Sequence, residues 1–375
     1  MPIAPEAPAP VLKRRERVLL ALISALMRLP FGMRVTLAGW LGRWVAGPLS
    51  SMKPRTAAAV RHFLPDLPEA EVNRIATEVP GNFFRMVIEV LSGPDLARLA
   101  AALPLEGPGL AALDQAHAQN RPAILVTAHF GNYDAARLAL IARGFRLGGY
   151  FKEMGHPAVN ALYLQSATAS GAPMFPDTGE GLRGVVRFLR GGGMLGILID
   201  LDRPQGVMLD FLGQPTRTVV SLAEMALKYD AVLVPIWGIR TEGKPGFRVQ
   251  IDAPVPHTDA HAMTQALNDA FAAQVRQHPD QWVWWHNRRK ASHPATAPAP
   301  APPLPALPPR PRGGVGISPP PTRPPWVRFT RFRSTPPGRG RRTAISKVTG
   351  HNVSIHAPGK GATSRGRPKG WPWAV

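Results

Sequence analysis

Between residues 54 and 101 the apolar side chains recur three and four positions apart, most clearly in EAEVNRIATEVPGNFFRMVIEVL, and that period predicts helices. From residue 105 the pattern changes. The runs RPAILVTAH, FRLGGYF, GGMLGILID, AVLVPIWGI and GFRVQIDAPV are short and either β-branched or apolar throughout, and helical stretches such as 135–143 and 180–190 separate them. Strands that are apolar on both faces belong to sheets covered on both sides. The expected fold is therefore α/β, a largely buried mixed sheet flanked by helices.

The first 50 residues read differently. Lys13, Arg14, Arg15 and Arg17 stand directly before the uncharged run 18–27, and Pro30 and Gly32 interrupt the apolar stretch that follows. That run falls well short of the about 20 residues a helix needs to cross a bilayer core. Arg28, Arg34 and Arg43 dot the continuation. The pattern fits two short helices in the membrane interface, apolar faces among acyl chains and arginines at headgroups. A single tilted span, a secretory signal without a clear cleavage site, and two helices packed on the body of a soluble enzyme are the competing readings.

Composition changes the picture at the other end. The 375 residues carry a formal charge of +21, but residues 292–375 hold 14 of the 45 basic side chains, none of the 24 acidic ones and 19 of the 43 prolines. That segment has no sustained period and too little apolar surface to offset an ordering cost of about 1–2 kcal/mol per residue, so a disordered tail is expected. Its arginines near Trp326, Phe329 and Phe332 also suit contact with nucleic acid or anionic membrane. The organisation is thus a membrane-associating segment over 1–50, an α/β domain over 51–291 and a Pro/Arg-rich tail over 292–375. With no cysteine, disulfides and thiolate-ligated metals are excluded.

The segment AILVTAHFGNYDAARLALIAR carries the candidate chemistry. A buried strand ends at His129, a glycine-containing turn follows, and a helix begins near Asn132 or Tyr133 with Asp134 in its first turn. Folded back, Asp134 can hold one imidazole nitrogen as a donor and leave the other to accept a proton, an arrangement suited to a hydroxyl supplied by substrate. The bland alternative is a capping Asp near a core His. Backbone N–H groups around Gly131 and Asn132 at the helix start are candidate oxyanion donors, and Asn132 equally fits an N-cap. Asp200 ends a second buried strand and suits a positioning role or a plain turn. Trp282, Trp284 and Trp285, followed by His286, Arg288, Arg289 and Lys290, have the composition of an interface anchor or of core, and the basic cluster suits an acidic protein partner.

Other chemistries are set aside. No G-x-G-x-x-G precedes a helix in the right context, no Walker A sequence occurs, and His156, His257, His261 and His278 have no metal-ligand spacing with nearby carboxylates. No metal and no cofactor is expected.

The block LPLEGPGLAALDQAHAQNRPAILVTAHFGNYD resembles the signature block of the bacterial lipid A late acyltransferases, whose H-x4-(D/E) motif is carried here by His129 and Asp134. GEGLRGVVRFLRGGGMLGILIDLDRPQGVMLDFLGQPTRT is similar to their second block, with an arginine in a helix, a strand ending in Asp200 and FLG at 211–213. AVLVPIWGIR and HPDQWVWWHNRRK are similar to their later blocks, and the resemblance spans about residues 15–290. Most members have Glu where this chain has Asp134, and Arg203 stands where they have a small or acidic residue.

The resemblance implies a peripheral or single-span enzyme on the cytoplasmic face of the inner membrane. It would transfer a fatty acyl chain from acyl carrier protein to a hydroxyl of a lipid A precursor, with His129 as general base and Asp134 orienting it. Arg183, the helix arginine, would sit near an anionic group of either substrate, although a solvated helix face explains it equally. A lysophospholipid or other glycolipid acceptor is the alternative within the enzyme class. Outside it stands a binding protein acting through the basic tail, with nucleic acid the less expected partner.

Overall fold

The computed structural model describes residues 14–154, 157–241 and 246–286; the tail, His156 and residues 287–290 of the basic cluster lie outside them. Helices come first: α1 (Arg14–Met27), α2 (Phe31–Leu41), a π-helical turn (Gly42–Ala46), a short α3 (Gly47–Leu49), α4 (Met52–Phe63), α5 (Glu69–Leu91) and α6 (Gly93–Ala100). The break between α1 and α2 falls at Pro30, which has no N–H to continue a helix. Strands and helices then alternate as β1 (Leu105–Glu106), α7 (Leu110–Ala118), β2 (Ala123–Thr127), α8 (Tyr133–Ala142), β3 (Leu147–Phe151), α9 (Pro157–Thr168), β4 (Met174–Pro176), α10 (Gly179–Arg190) and β5 (Met194–Leu198). A hairpin of β6 (Val207–Phe211) and β7 (Gln214–Thr218) precedes α11 (Ser221–Tyr229), β8 (Val232–Arg240), β9 (Phe247–Ile251) and α12 (Ala260–Gln277).

Seven strands pair in the order β1-β9-β8-β2-β5-β3-β4. Every pairing is parallel except that of β8 with β9. The mixed, mostly parallel sheet flanked by helices is the expected class. Strand β2 shows why its sequence is apolar from Ala123 to Val126: Leu125 packs with Leu96, Leu113 and Leu140 of α6, α7 and α8, while Ile124 and Val126 pack with Val185, Leu222 and Leu267 of α10, α11 and α12. Each such side chain contributes about 1.5–3 kcal/mol on burial. A polar residue at any of these four positions would face a helix on one side or the other.

Beyond the carboxyl end of β2 lies a third cluster, in which Ala128 and Phe130 meet α4, α5 and α12. Its centre is aromatic. Trp237 stacks on Phe271 at 5.8 Å, and Trp282 meets Phe271 edge-on at 5.3 Å. Trp282, Trp284 and Trp285 are buried here, so of the two readings of this cluster the core one describes the molecule. Two of the indole N–H groups have partners inside: Trp284 donates to the Pro279 carbonyl at 2.6 Å and Trp282 to Asp200 at 3.1 Å.

Two short helices occur at the N-terminus, as the sequence pattern predicts, and α2 packs on the body. One face of α2 packs on the body through Arg34, Val35, Ala38 and Gly39. Arg34, expected at a headgroup, is buried instead; it pairs with Asp95 and donates to Ser92 Oγ and to the carbonyls of Met27 and Leu29. The other face leaves Met33, Leu37, Trp40 and Trp44 exposed. Among the described residues no helix is long and apolar enough to cross a membrane.

Candidate active site

Strand register builds the centre of the site. In the parallel pair β2 and β5, Thr127 is opposite Leu198. His129 and Asp200 each lie two residues further along, so they meet at the carboxyl edge of the sheet, where ligands bind in open α/β folds. Asp200 has no exposed surface. Its Oδ1 lies 2.9 Å from His129 Nδ1, and its Oδ2 accepts from the His129 backbone N–H and from Trp282 Nε1, both at 3.1 Å. Burial alone would raise the Asp200 pKa. The charge and hydrogen bond of His129, the nearby His286 and the Trp282 donor outweigh it and hold the carboxyl well below the usual carboxylate range. An ionised carboxylate can only accept, so His129 Nδ1 is the donor and Nε2 is left as the basic nitrogen.

Asp134 does not share that role. Its Oδ1 accepts from Arg137 Nε at 2.5 Å, one helical turn away and buried with it. The cause is local. Asn132 caps α8, its Oδ1 accepting from the N–H groups of Asp134 and Ala135 at 3.0 Å, so the helix is already formed at Asp134 and its carboxylate meets the i+3 side chain. Asn132 Nδ2 donates to Glu89 at 2.9 Å, and Glu89 in turn holds Arg240 through two 2.7 Å bonds. Asn132 is thus a structural N-cap tied to α5 and β8.

The N–H groups expected to serve an oxyanion are occupied as well. Gly131 N donates to Gln281 O at 2.9 Å and Asn132 N to Gly238 O at 2.8 Å. Gly131 has φ +54°, and a Cβ there would lie 2.1 Å from the Gly238 carbonyl. Only glycine lets this turn rest against β8.

Arg183 is exposed on α10, with no hydrogen bond or ion pair to a described residue. Arg203 donates to Asp177 at 3.1 Å, and Tyr150 donates to the other oxygen of that carboxylate at 2.6 Å. Residues 179–184, GEGLRG, do have the G-x-G-x-x-G spacing at the start of a helix after a strand, a context the sequence reading set aside. Their N-terminus is capped by Thr178 Oγ1 on Gly181 N at 3.1 Å, and Gly181 packs against the Pro176 carbonyl. These glycines serve close packing.

One residue of the site was read in the sequence only as part of the basic cluster after the tryptophans. His286 sits with its ring centre 4.4 Å from that of His129, and both of its nitrogens are buried without a hydrogen-bond partner among the described residues. Burial, His129 and Arg55 push its pKa down to about 3 against the pull of Asp200, so the ring is neutral. His129, Asp200 and His286 each offer a ligand atom within 4.8 Å of the others. That grouping arises from three distant segments and is invisible to spacing.

Between the sheet and α8 lies a partly open cavity that Tyr133, in ring contact with His129, helps to line. Leu125, Leu147, Ile197 and Ile236 make apolar walls, Gly196 leaves the sheet side open, and Tyr133, Asp134 and Arg137 line the helix side.

Comparison with known proteins follows the same segments. The sequence model for bacterial lipid A biosynthesis acyltransferases matches residues 14–291. A lipid A biosynthesis acyltransferase of Haemophilus influenzae is 24% identical over 262 residues, 68% of this chain and 81% of that protein. A phosphatidylinositol mannoside acyltransferase of Mycobacterium tuberculosis is 29% identical over 209 residues, 54% of this chain and 65% of that one. Lipid A biosynthesis acyltransferase 2 of Shigella flexneri is 20% identical over 281 residues, 71% and 86% respectively. The chain belongs to the bacterial lipid A biosynthesis acyltransferase family and is an acyltransferase.

Because Asp134 balances a buried guanidinium, Asp134→Asn should destabilise the protein by about 3–5 kcal/mol, the usual cost of stranding a buried charge. Urea unfolding measures this. Adding Arg137→Met to Asp134→Asn should recover most of the loss; no recovery would mean that Asp134 stabilises through something other than Arg137.

Proposed function

We propose that this family member moves a fatty acyl group from acyl carrier protein to a hydroxyl of a lipid A-type acceptor, with His129 as general base and Asp200, rather than Asp134, as the carboxylate that orients it. The observation that carries the reading is the His129–Asp200 pair, two residues beyond Thr127 and Leu198, which line an apolar cavity. Asp200 fixes Nδ1 as the protonated nitrogen and compensates the charge when Nε2 takes the proton of the acceptor hydroxyl. The alkoxide oxygen then forms the ester bond at the thioester carbonyl. The carbon–sulfur bond breaks, and the leaving thiolate recovers the proton from His129. No redox partner is required.

The cavity suits the hydrocarbon chain of the donor. Its walls are apolar, and the Asp134–Arg137 pair is a polar boundary that a methyl end would not pass without desolvating it. Gly196 is a gap in the wall: a Cβ there would find its nearest neighbours at 3.6 and 3.7 Å. A larger residue therefore fits locally and takes up cavity space.

A membrane surface is the expected workplace. Met33, Leu37, Trp40 and Trp44 follow one another at helical spacing and are exposed, with Arg28 exposed and Arg43 half-buried near them. An apolar stripe flanked by arginines matches helices that lie in the interface of anionic membranes, and tryptophan favours that depth. This supports peripheral docking on the inner membrane with the site facing the cytoplasm.

A second acceptor class has one specific support, the 29% identity to a phosphatidylinositol mannoside acyltransferase. That relation favours a glycolipid hydroxyl other than lipid A as the competing reading. Purified chain offered acyl carrier protein thioester with either acceptor separates them: ester formed on the mannoside or a lysophospholipid but not on the lipid A precursor would overturn the acceptor named here.

His129→Ala should lower kcat by at least about 100-fold, and Asp200→Asn by a similar order, with far smaller changes in KM. Folded Asp134→Asn assayed at low temperature should retain much more turnover than either; equal loss in all three would return the dyad to Asp134. Gly196→Leu should shift donor preference to shorter acyl chains, read by competition between thioesters of different length; an unchanged profile would place the chain elsewhere. Trp40→Ser with Trp44→Ser should weaken sedimentation with anionic vesicles at least about tenfold, and undiminished binding would refute the docking face.

A further inference from the structure

We infer that His129 and His286 form a zinc site whose occupation shuts the enzyme off. This rests on the reading of His129 as the base, because the metal would take the lone pair that otherwise accepts the acceptor's proton.

The argument begins with His286. Both of its ring nitrogens are buried without a hydrogen-bond partner among the described residues, although either would ordinarily be paired when removed from water. The adjacent ring, 4.4 Å away with planes at 72°, is His129. Its Nδ1 is held by Asp200 at 2.9 Å, so Nε2 is the nitrogen with a free lone pair. A carboxylate on one imidazole nitrogen with a metal on the other is the arrangement that orients zinc-bound histidines and raises their basicity. Asp200, fully buried and ionised, also supplies negative charge next to the cation.

Distances allow it. Ligand atoms of His129, Asp200 and His286 lie within 4.8 Å of one another. Zinc–nitrogen bonds of 2.0–2.1 Å in a tetrahedron call for ligand atoms about 3.4 Å apart, which two imidazoles reach by small rotations. The His129 side chain is 14% exposed, which lets water reach it and complete the shell. The donor set selects the cation: imidazole suits zinc, whereas magnesium and calcium prefer a shell of oxygens. The chain has no cysteine, and no other group of three or more potential ligands occurs among the described residues.

The test uses the full chain stripped with EDTA. Cobalt(II), the visible probe for a zinc site, should give the absorption of a four-coordinate ion at about one equivalent per chain, and zinc should displace it. Zinc should also raise the melting temperature of the native chain, while magnesium at the same concentration does neither. Zinc should inhibit acyl transfer, with EDTA restoring it. His286→Ala and His286→Asn should each weaken cobalt binding at least about tenfold and weaken zinc inhibition in proportion. Should both variants unfold, the stoichiometry, displacement and melting shift of the native chain still decide. Absent cobalt absorption, binding unchanged in a folded His286 variant, or zinc bound without inhibition would each overturn the inference. Turnover in His129→Ala separates the two claims: its loss with no cobalt bound to the native chain removes only the zinc site, and its retention removes the general base.

Discussion

Parallel pairing of β2 with β5 is the constraint on which the site depends. In a parallel ladder the partners advance together, so the residues two beyond Thr127 and Leu198 arrive at the same height on the same edge. A slip of one residue would turn the side chains of β2 to the opposite faces, and the alternation of Leu125 towards α8 with Ile124 and Val126 towards α10 and α11 forbids it. Burial of the strand thereby sets the position of His129 against Asp200, although neither residue belongs to the hydrophobic core.

Around that pair, each of the three buried carboxylates among the described residues has an arginine or a histidine against it. Glu89 has Arg240, Asp134 has Arg137, and Asp200 has His129. A buried ion pair adds little net stability relative to an apolar pair of the same size, but removing one partner is costly. Glu89–Arg240 joins elements that must stay in register with the site, since Glu89 ties α5 to β8 and, through Asn132, to the turn after His129, whereas Asp134–Arg137 lies within α8. The third differs, because its partner is an imidazole rather than a guanidinium.

At the other end of the molecule the N-terminal helices show how one sequence pattern serves two environments. The small residues Ala38, Gly39 and Gly42 let α2 and the π-helical turn approach α5 so closely that a Cβ at Gly42 would lie 2.5 Å from the Pro80 carbonyl. The larger apolar side chains Met33, Leu37, Trp40 and Trp44 are left on the outside. Packing on the body and presenting an apolar surface are therefore not alternatives here. They are the two faces of the same helix.

The sequence by itself determined the α/β class, the strands β2, β3, β5, β8 and β9 and the helix break at Pro30, offered the cap at Asn132 as one of two readings and singled out His129 as a candidate, because each follows from local period, propensity or a motif a few residues long. It also carried the family, in blocks spread from residue 14 to 291. It did not determine which carboxylate His129 meets. Asp134, five residues away, was the near candidate, and Asp200, 71 residues away, is the partner, since a helix N-terminus directs Asp134 to its own i+3 arginine while strand register brings Asp200 in. Nor did it place His286, reached only when the chain returns from α12 to the carboxyl edge of the sheet, or bury Arg34 and the tryptophans near 282. Such choices are settled by which surfaces exclude water once distant segments pack, and no window along the chain contains that information.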